Sequence, residues 1–85
     1  MKVEIITPQK IEFQDEVKSI GLPTMMGRIS VLRNHIPLIS VLKPGRVKIK
    51  TLKGEISFEA EGGILMFRQN KLTLLLKNFN LKQEL

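Results

Sequence analysis

Ile29-Ser30-Val31-Leu32-Arg33-Asn34-His35-Ile36-Pro37-Leu38-Ile39-Ser40-Val41-Leu42-Lys43-Pro44-Gly45 is the stretch on which the reading of this chain turns. Two apolar runs, residues 29–32 and 38–42, are each too short for a helix and flank a polar tip of Arg33, Asn34 and His35. Pro37 sets φ where the second run begins, so the pair reads as two strands. Lys43-Pro44-Gly45 then predicts a chain reversal: proline presets the first turn angle and glycine accepts the positive φ of a type II turn.

The segment that follows reads as a hairpin. A two-residue turn at Lys53-Gly54 sets Thr51 opposite Ile56, Ile49 opposite Phe58 and Val47 opposite Ala60 on one face. The same count sets Lys50 opposite Ser57, Lys48 opposite Glu59 and Arg46 opposite Glu61 on the other. Apolar meets apolar and basic meets acidic in a single register.

In front of these elements, residues 1–7 read as a strand with Val3 and Ile5 on one face, and Ile6 implies cover on the other face as well. Pro8 ends it. Residues 11–14 read as a second strand, Asp15-Glu16 as a turn, and residues 17–22 as a third strand stopped by Pro23. A loop over 23–27 carries Met25 and Met26, either as a contact surface or packed back on the domain. Behind the hairpin, Gly62-Gly63 breaks or bulges the chain, and Ile64 to Phe67 is apolar on both sides, as a covered central strand would be. Gln69-Asn70-Lys71 turns into a last strand, with Leu72, Leu74 and Leu76 pointing one way and Thr73 and Leu75 the other. The expected fold is all-β: a two-sheet antiparallel β-sandwich, or flattened barrel, of about nine to ten strands. A short irregular or one-turn helical tail follows, with Asn80 and Gln83 as a helix-start signal.

Eighty-five residues make a single domain over 1–85, and a chain of this size buries only about 60 to 65% of its unfolded surface, which leaves little room for an enclosed active site. The absence of cysteine excludes a disulfide framework, a thiolate metal site and a cysteine nucleophile. Residues 1–10 alternate charge and apolarity, unlike a signal peptide, and no apolar run approaches the roughly 18 residues of a membrane span. Membrane association is therefore expected to be indirect.

Catalytic groups do not converge. His35 is the only histidine and Asp15 the only aspartate. A triad of Ser30 or Ser40 with His35 and Asp15 would lack a strained nucleophile elbow, and no metal or cofactor is expected. Gly62-Gly63 is too short to cradle a phosphate. His35 reads as a turn residue bonded to nearby backbone or as an interface contact. Fourteen Lys and Arg against eight Asp and Glu give +6 and invite nucleic acid, an anionic surface or an acidic protein as partner. A small basic β-barrel that binds nucleic acid is the alternative reading. Against it stand the four phenylalanines without Tyr or Trp, and the glutamates Glu59 and Glu61 that the hairpin count sets beside Lys48 and Arg46.

An ordered set of short motifs resembles the epsilon subunit of the F-type ATP synthase, the equivalent of the mitochondrial delta subunit. These are Ile5-Ile6-Thr7-Pro8, Gly27, His35-Ile36-Pro37-Leu38, Leu42-Lys43-Pro44-Gly45 with a basic strand behind it, Gly62-Gly63-Ile64-Leu65-Met66-Phe67 and Lys71-Leu72-Thr73-Leu74-Leu75. The resemblance covers about residues 3 to 76 and implies a ten-stranded, non-catalytic β-sandwich at the foot of the central stalk. It implies as partners the gamma subunit and the membrane ring of c subunits, and indirectly the alpha/beta catalytic head, with no nucleic acid, no direct membrane insertion and no homo-oligomer. The subunit would turn with the rotor and couple proton flow to ATP synthesis, peripheral on the cytoplasmic side of a bacterial plasma membrane. By matching position, Arg28, Arg33 and His35 would face the c ring, while Ser40 and Lys43 would face gamma. Ser30 stands where the family usually has glycine, Arg33-Asn34 where it has Pro-Gly, and Arg28 where an acidic residue is frequent. A ring contact of changed polarity requires a complementary change in its partner. The carboxy-terminal helical hairpin common in the family has no counterpart in these 85 residues, so inhibition or ATP binding by that element is not expected of them.

Overall fold

A computed structural model describes residues 1–79. Eight strands follow in order: β1 (Lys2–Ile6), β2 (Ile11–Thr24), β3 (Gly27–Leu32), β4 (Leu38–Leu42), β5 (Gly45–Thr51), β6 (Gly54–Ala60), β7 (Gly63–Arg68) and β8 (Lys71–Leu75). The count is eight, where nine to ten were expected, because residues 11–14 and 17–22 belong to one 14-residue strand. Asp15 and Glu16 make no turn; they pair with Val3 and Lys2 of β1. Pro23 does not end the strand either, since it pairs with Arg28 on β3.

The long strand builds the sandwich. Its first half pairs with β1, and after an irregularity between Val17 and Ser19 its second half pairs with β3 on one side and β5 on the other. A bulge bends a strand and increases its twist, which lets β2 leave one layer and enter the next. One layer therefore runs β4-β7-β8-β1 and the first half of β2; the other runs β3, the second half of β2, β5 and β6. The pairings are antiparallel except β1 with β8, which is parallel.

Alternation sends Val3, Ile5, Leu65, Phe67, Leu72 and Leu74 from one layer and Ile20, Leu22, Val31, Val47, Ile49 and Phe58 from the other into a shared core. Leu76 donates its N–H to the Ile6 carbonyl, and the Phe79 ring stands edge-on to Phe58 at 4.8 Å, covering one end of that core. The helix-start signal at Asn80 lies outside the described residues.

Two local readings change. Gly45 is not among the residues with positive φ; it is the first residue of β5, and a Cβ there would lie 3.0 Å from Pro23 Cγ, so a larger residue requires Pro23 to give by a few tenths of an ångström. Residues 29–32 and 38–42 are strands, as expected; β3 pairs with β2, and β4 pairs with β7 and, at Leu42, with Thr24 of β2. The β5–β6 hairpin turns at Leu52-Lys53, one residue earlier than expected, and sets Arg46 opposite Glu59, Val47 opposite Phe58, Lys48 opposite Ser57 and Ile49 opposite Ile56. Thr51 fixes this turn, its hydroxyl accepting from Lys53 N at 3.1 Å and donating to Gly54 O at 3.0 Å. Gly54 takes φ +146° just past the turn instead of inside it.

Candidate functional site

The two outer faces of the sandwich differ in chemistry. On the β4-β7-β8-β1 layer, cross-strand neighbours make two rows: Ile39, Met66, Thr73 and Glu4, and beside it Val41, Ile64, Leu75 and Ile6. Each row is apolar at β4 and β7. Ile39 is 77% exposed and Val41 53%, while Ile64, Met66 and Leu75 keep between 37% and 43% of their surface in water. A contiguous patch of this kind marks an interaction site more often than chance exposure. β7 is thus central in its layer, as expected, but covered on one face only: Leu65 and Phe67 are buried while Ile64 and Met66 are open. Both-sided apolarity at 38–42 and 64–67 was the signal that marks this face in the sequence. An intramolecular cover and a partner leave the same pattern there.

At the β1 edge of that face the patch gives way to a polar cluster. Glu4 is 8% exposed, accepts from Gln14 Nε2 at 2.9 Å and meets Lys71 Nζ at 3.6 Å, so its partial burial is matched by partners. Val3, Glu4 and Ile5 are all buried, as the covered reading of β1 requires.

The other outer face is polar. β3, β2, β5 and β6 present Arg28, Ser30, Gly21, Arg46, Lys48, Lys50, Glu55, Ser57 and Glu59. Arg46 pairs with Glu59 at 3.1 Å and also donates to Ser57 Oγ. Glu61 lies beyond β6 and accepts from Asn78, so it does not neutralise Arg46 as expected, and Lys48 faces Ser57 instead of Glu59.

The residues singled out in the sequence do not gather in one loop. Arg28 and Arg33 stand at opposite ends of β3, about 16 Å apart along a strand rising ~3.3 Å per residue. Arg28 turns away from the tip: its guanidinium crosses Gly21 and donates to the Arg46 carbonyl at 2.8 Å. At the far end, Asn34 takes φ +65° and is tied to the β7–β8 turn, its N–H donating to Asn70 Oδ1 at 2.7 Å and Asn70 Nδ2 donating to Asn34 Oδ1 at 3.1 Å. That turn has φ of +52° and +57° at Gln69 and Asn70, the type I′ combination that matches strand twist. His35 bonds the Ile36 carbonyl through Nδ1 at 2.7 Å and sets its ring edge-on to Phe67 at 5.9 Å. Ser40 has the inward parity of Leu38 and Leu42 and is half-buried, whereas Lys43 is exposed past the end of β4.

Met25 and Met26 make the two-residue β2–β3 turn and are 63% and 90% exposed, which settles that loop as an open tip. Thr24, 1% exposed, holds the turn by donating to Gly27 O at 2.6 Å and accepting from Met26 N. Among the described residues no three His, Cys, Asp or Glu side chains gather as metal ligands, and no helix is long and apolar enough to cross a membrane.

Comparison with known proteins agrees with this geometry. The chain is 37% identical over 83 residues to the ATP synthase epsilon chain of Pelagibacter ubique, covering 95% of this chain and 64% of that one. It is 40% identical over 75 residues to the epsilon chain of Chlorobium limicola, covering 87% of this chain and 85% of the relative. In fold it matches a chain in the cryo-EM structure of the Euglena gracilis mitochondrial ATP synthase, OSCP/F1/c-ring, with TM-score 0.83 at 18% identity over 89% of this chain and 49% of that chain. A second match is in the central stalk/c-ring structure from Tetrahymena thermophila, with TM-score 0.75 at 20% identity over 92% of this chain and 63% of that chain. The family model described as ATP synthase, Delta/Epsilon chain, beta-sandwich domain matches residues 1–81, so the chain belongs to the delta/epsilon family of the ATP synthase.

Proposed function

We propose that the chain is a non-catalytic central-stalk subunit of the F-type ATP synthase, fixed to the gamma subunit through the outer face of β4, β7 and β8 and resting on the c ring. The observation that carries this is the row of exposed Ile39, Val41, Ile64, Met66 and Leu75 on a sheet face of a family member. A rotor subunit must transmit torque without slipping. A sheet face with an apolar centre and a polar rim suits that demand better than a loop. Glu4, Gln14 and Lys71 supply the rim on the β1 side, and Lys43 lies past the β4 end. On β4, Ile39 and Val41 carry the contact, since Ser40 faces the interior.

The ring contact is assigned to the end of the sandwich where Met25 and Met26 project and Lys43 is exposed. At the opposite end Asn34 and the Nδ1 of His35 already have intramolecular partners. The subunit would then lie on the cytoplasmic side of a bacterial plasma membrane, held through its partners, and couple proton flow to ATP synthesis by joining ring to gamma.

The test is co-purification with gamma and the c ring using Ile39→Asp/Ile64→Asp. Burying one such side chain is worth about 1.5 to 3 kcal/mol, so the pair should lower gamma affinity at least about a hundredfold with an unchanged circular dichroism spectrum. Unaltered affinity would remove this face from the interface.

A further inference from the structure

We infer that the polar outer face, opposite the gamma-binding face, is a second docking surface, built to take the carboxylates of an acidic protein segment with Arg28 as its anchor. The inference does not depend on where gamma binds. It follows from the hairpin register: Lys48 faces Ser57, and of the β5 cations Arg46 alone forms an ion pair among the described residues. Arg28 and Lys48 therefore add charge to the face that Glu55 and Glu59 do not cancel, whereas Lys50 stands opposite Glu55.

Arg28 differs from an ordinary surface arginine. It starts on β3, crosses β2 over Gly21 and reaches β5, where Nη1 donates to the Arg46 carbonyl at 2.8 Å. A Cβ at Gly21 would lie 3.3 Å from Arg28 Nη2 and 3.9 Å from Cζ, so the guanidinium rests in the space left by the missing side chain. One of its five N–H groups is used on the carbonyl. The others stay available in a planar fork, the geometry that receives a carboxylate with two parallel bonds. Holding the fork in place beforehand removes part of the side-chain entropy that weakens exposed ion pairs. Ser30 and Lys48 flank Gly21 as its cross-strand neighbours and offer a hydroxyl and an ammonium beside the fork.

A protein segment fits this surface better than a nucleic acid. Phe58 and Phe67 are buried and Phe13 packs against the core, so no ring is presented for bases to stack on. Glu55 and Glu59 stand in the same field and would repel a continuous phosphate backbone, whereas a peptide can place its carboxylates over the cations alone.

The experiment titrates the nitrogen-15-labelled chain with poly-L-glutamate, and separately with an oligothymidylate of matched charge and with anionic phospholipid vesicles, following backbone amide shifts. Poly-L-glutamate should shift Gly21, Arg28, Ser30 and Lys48 first. Arg28→Ala should weaken its binding about five- to tenfold. Gly21→Ala, which keeps the net charge and only displaces the guanidinium, should reproduce part of that loss, whereas Lys77→Ala should change little. The inference is overturned if Arg28→Ala and Lys77→Ala weaken binding equally, since the attraction would then be net charge alone. It is overturned too if the shifts fall elsewhere, or if the oligothymidylate or the vesicles bind this face more tightly than the polypeptide.

Discussion

Gly63→Ala puts the approach of β8 to β7 under direct test. Gly63 has φ +154°, and a Cβ there would stand 2.5 Å from the Leu75 carbonyl oxygen and 2.7 Å from Leu76 Cδ2. Neither neighbour yields cheaply: one is backbone, and the other is buried in the core. Gly54 serves as the control. Its φ of +146° imposes a similar backbone cost, yet a Cβ there meets nothing within 4 Å. The φ term is about 1 to 3 kcal/mol for either residue, and forcing an added methyl into a packed site costs about 1 to 3 kcal/mol more. Gly63→Ala should thus lose about 2 to 6 kcal/mol and Gly54→Ala only the φ term of about 1 to 3 kcal/mol, from a total that for 85 residues is about 4 to 13 kcal/mol. Urea unfolding must be followed by far-ultraviolet circular dichroism, since the chain has neither Trp nor Tyr. At about 4 to 8 °C per kcal/mol for a domain of this size, the two variants separate clearly in a thermal scan as well. Equal losses would mean that β8 does not press on Gly63, and the packing argument would fail. Because Leu75 belongs to the apolar outer face, a displaced β8 should also weaken the contact with gamma proposed above, although Gly63 itself has the inward parity of Leu65 and Phe67.

Other outcomes follow from single contacts. Thr24→Val removes the hydroxyl that joins Gly27 O and Met26 N at a site 1% exposed. It should cost about 1 to 3 kcal/mol in urea unfolding and speed amide exchange at Met26. Asn70→Gly keeps the positive φ but removes both bonds to Asn34. It should cost about 1 kcal/mol and quicken exchange at the Asn34 amide, while Asn70→Ala should cost more because alanine disfavours that φ. If glycine proves the worse substitution, the argument from the positive φ fails; if Asn70→Gly costs nothing, the amide pair is not what Asn70 contributes.

Period-two alternation was legible wherever a strand had one wet and one dry face. β5, β6 and β8 show the inward and outward residues expected of them, and they do so although the β5–β6 partners were wrong by two residues. That error leaves every side chain on its proper face, because a shift of two is a whole period of the pleat. Apolar-to-apolar and basic-to-acidic matching survive the same shift closely enough that neither could expose it. The Thr51 hydroxyl, bonded on both sides of the turn, settles the register. Asp15-Glu16 imitated a turn because two adjacent acids are usually solvated. Here they are solvated on a strand that pairs with β1 before it changes layers.

The sequence by itself determined an all-β domain, the faces of most strands and, through its ordered motifs, the family. Those properties are local or lie in residue order. Tertiary structure alone decided which apolar face stays open, that Arg28 lies across three strands away from the tip, and that Arg28 and Arg33 point to opposite ends of the sandwich. Each of these depends on which strand lies beside which. Strand neighbours are chosen by the packing of the whole core, and residues distant in the chain settle what any one stretch touches.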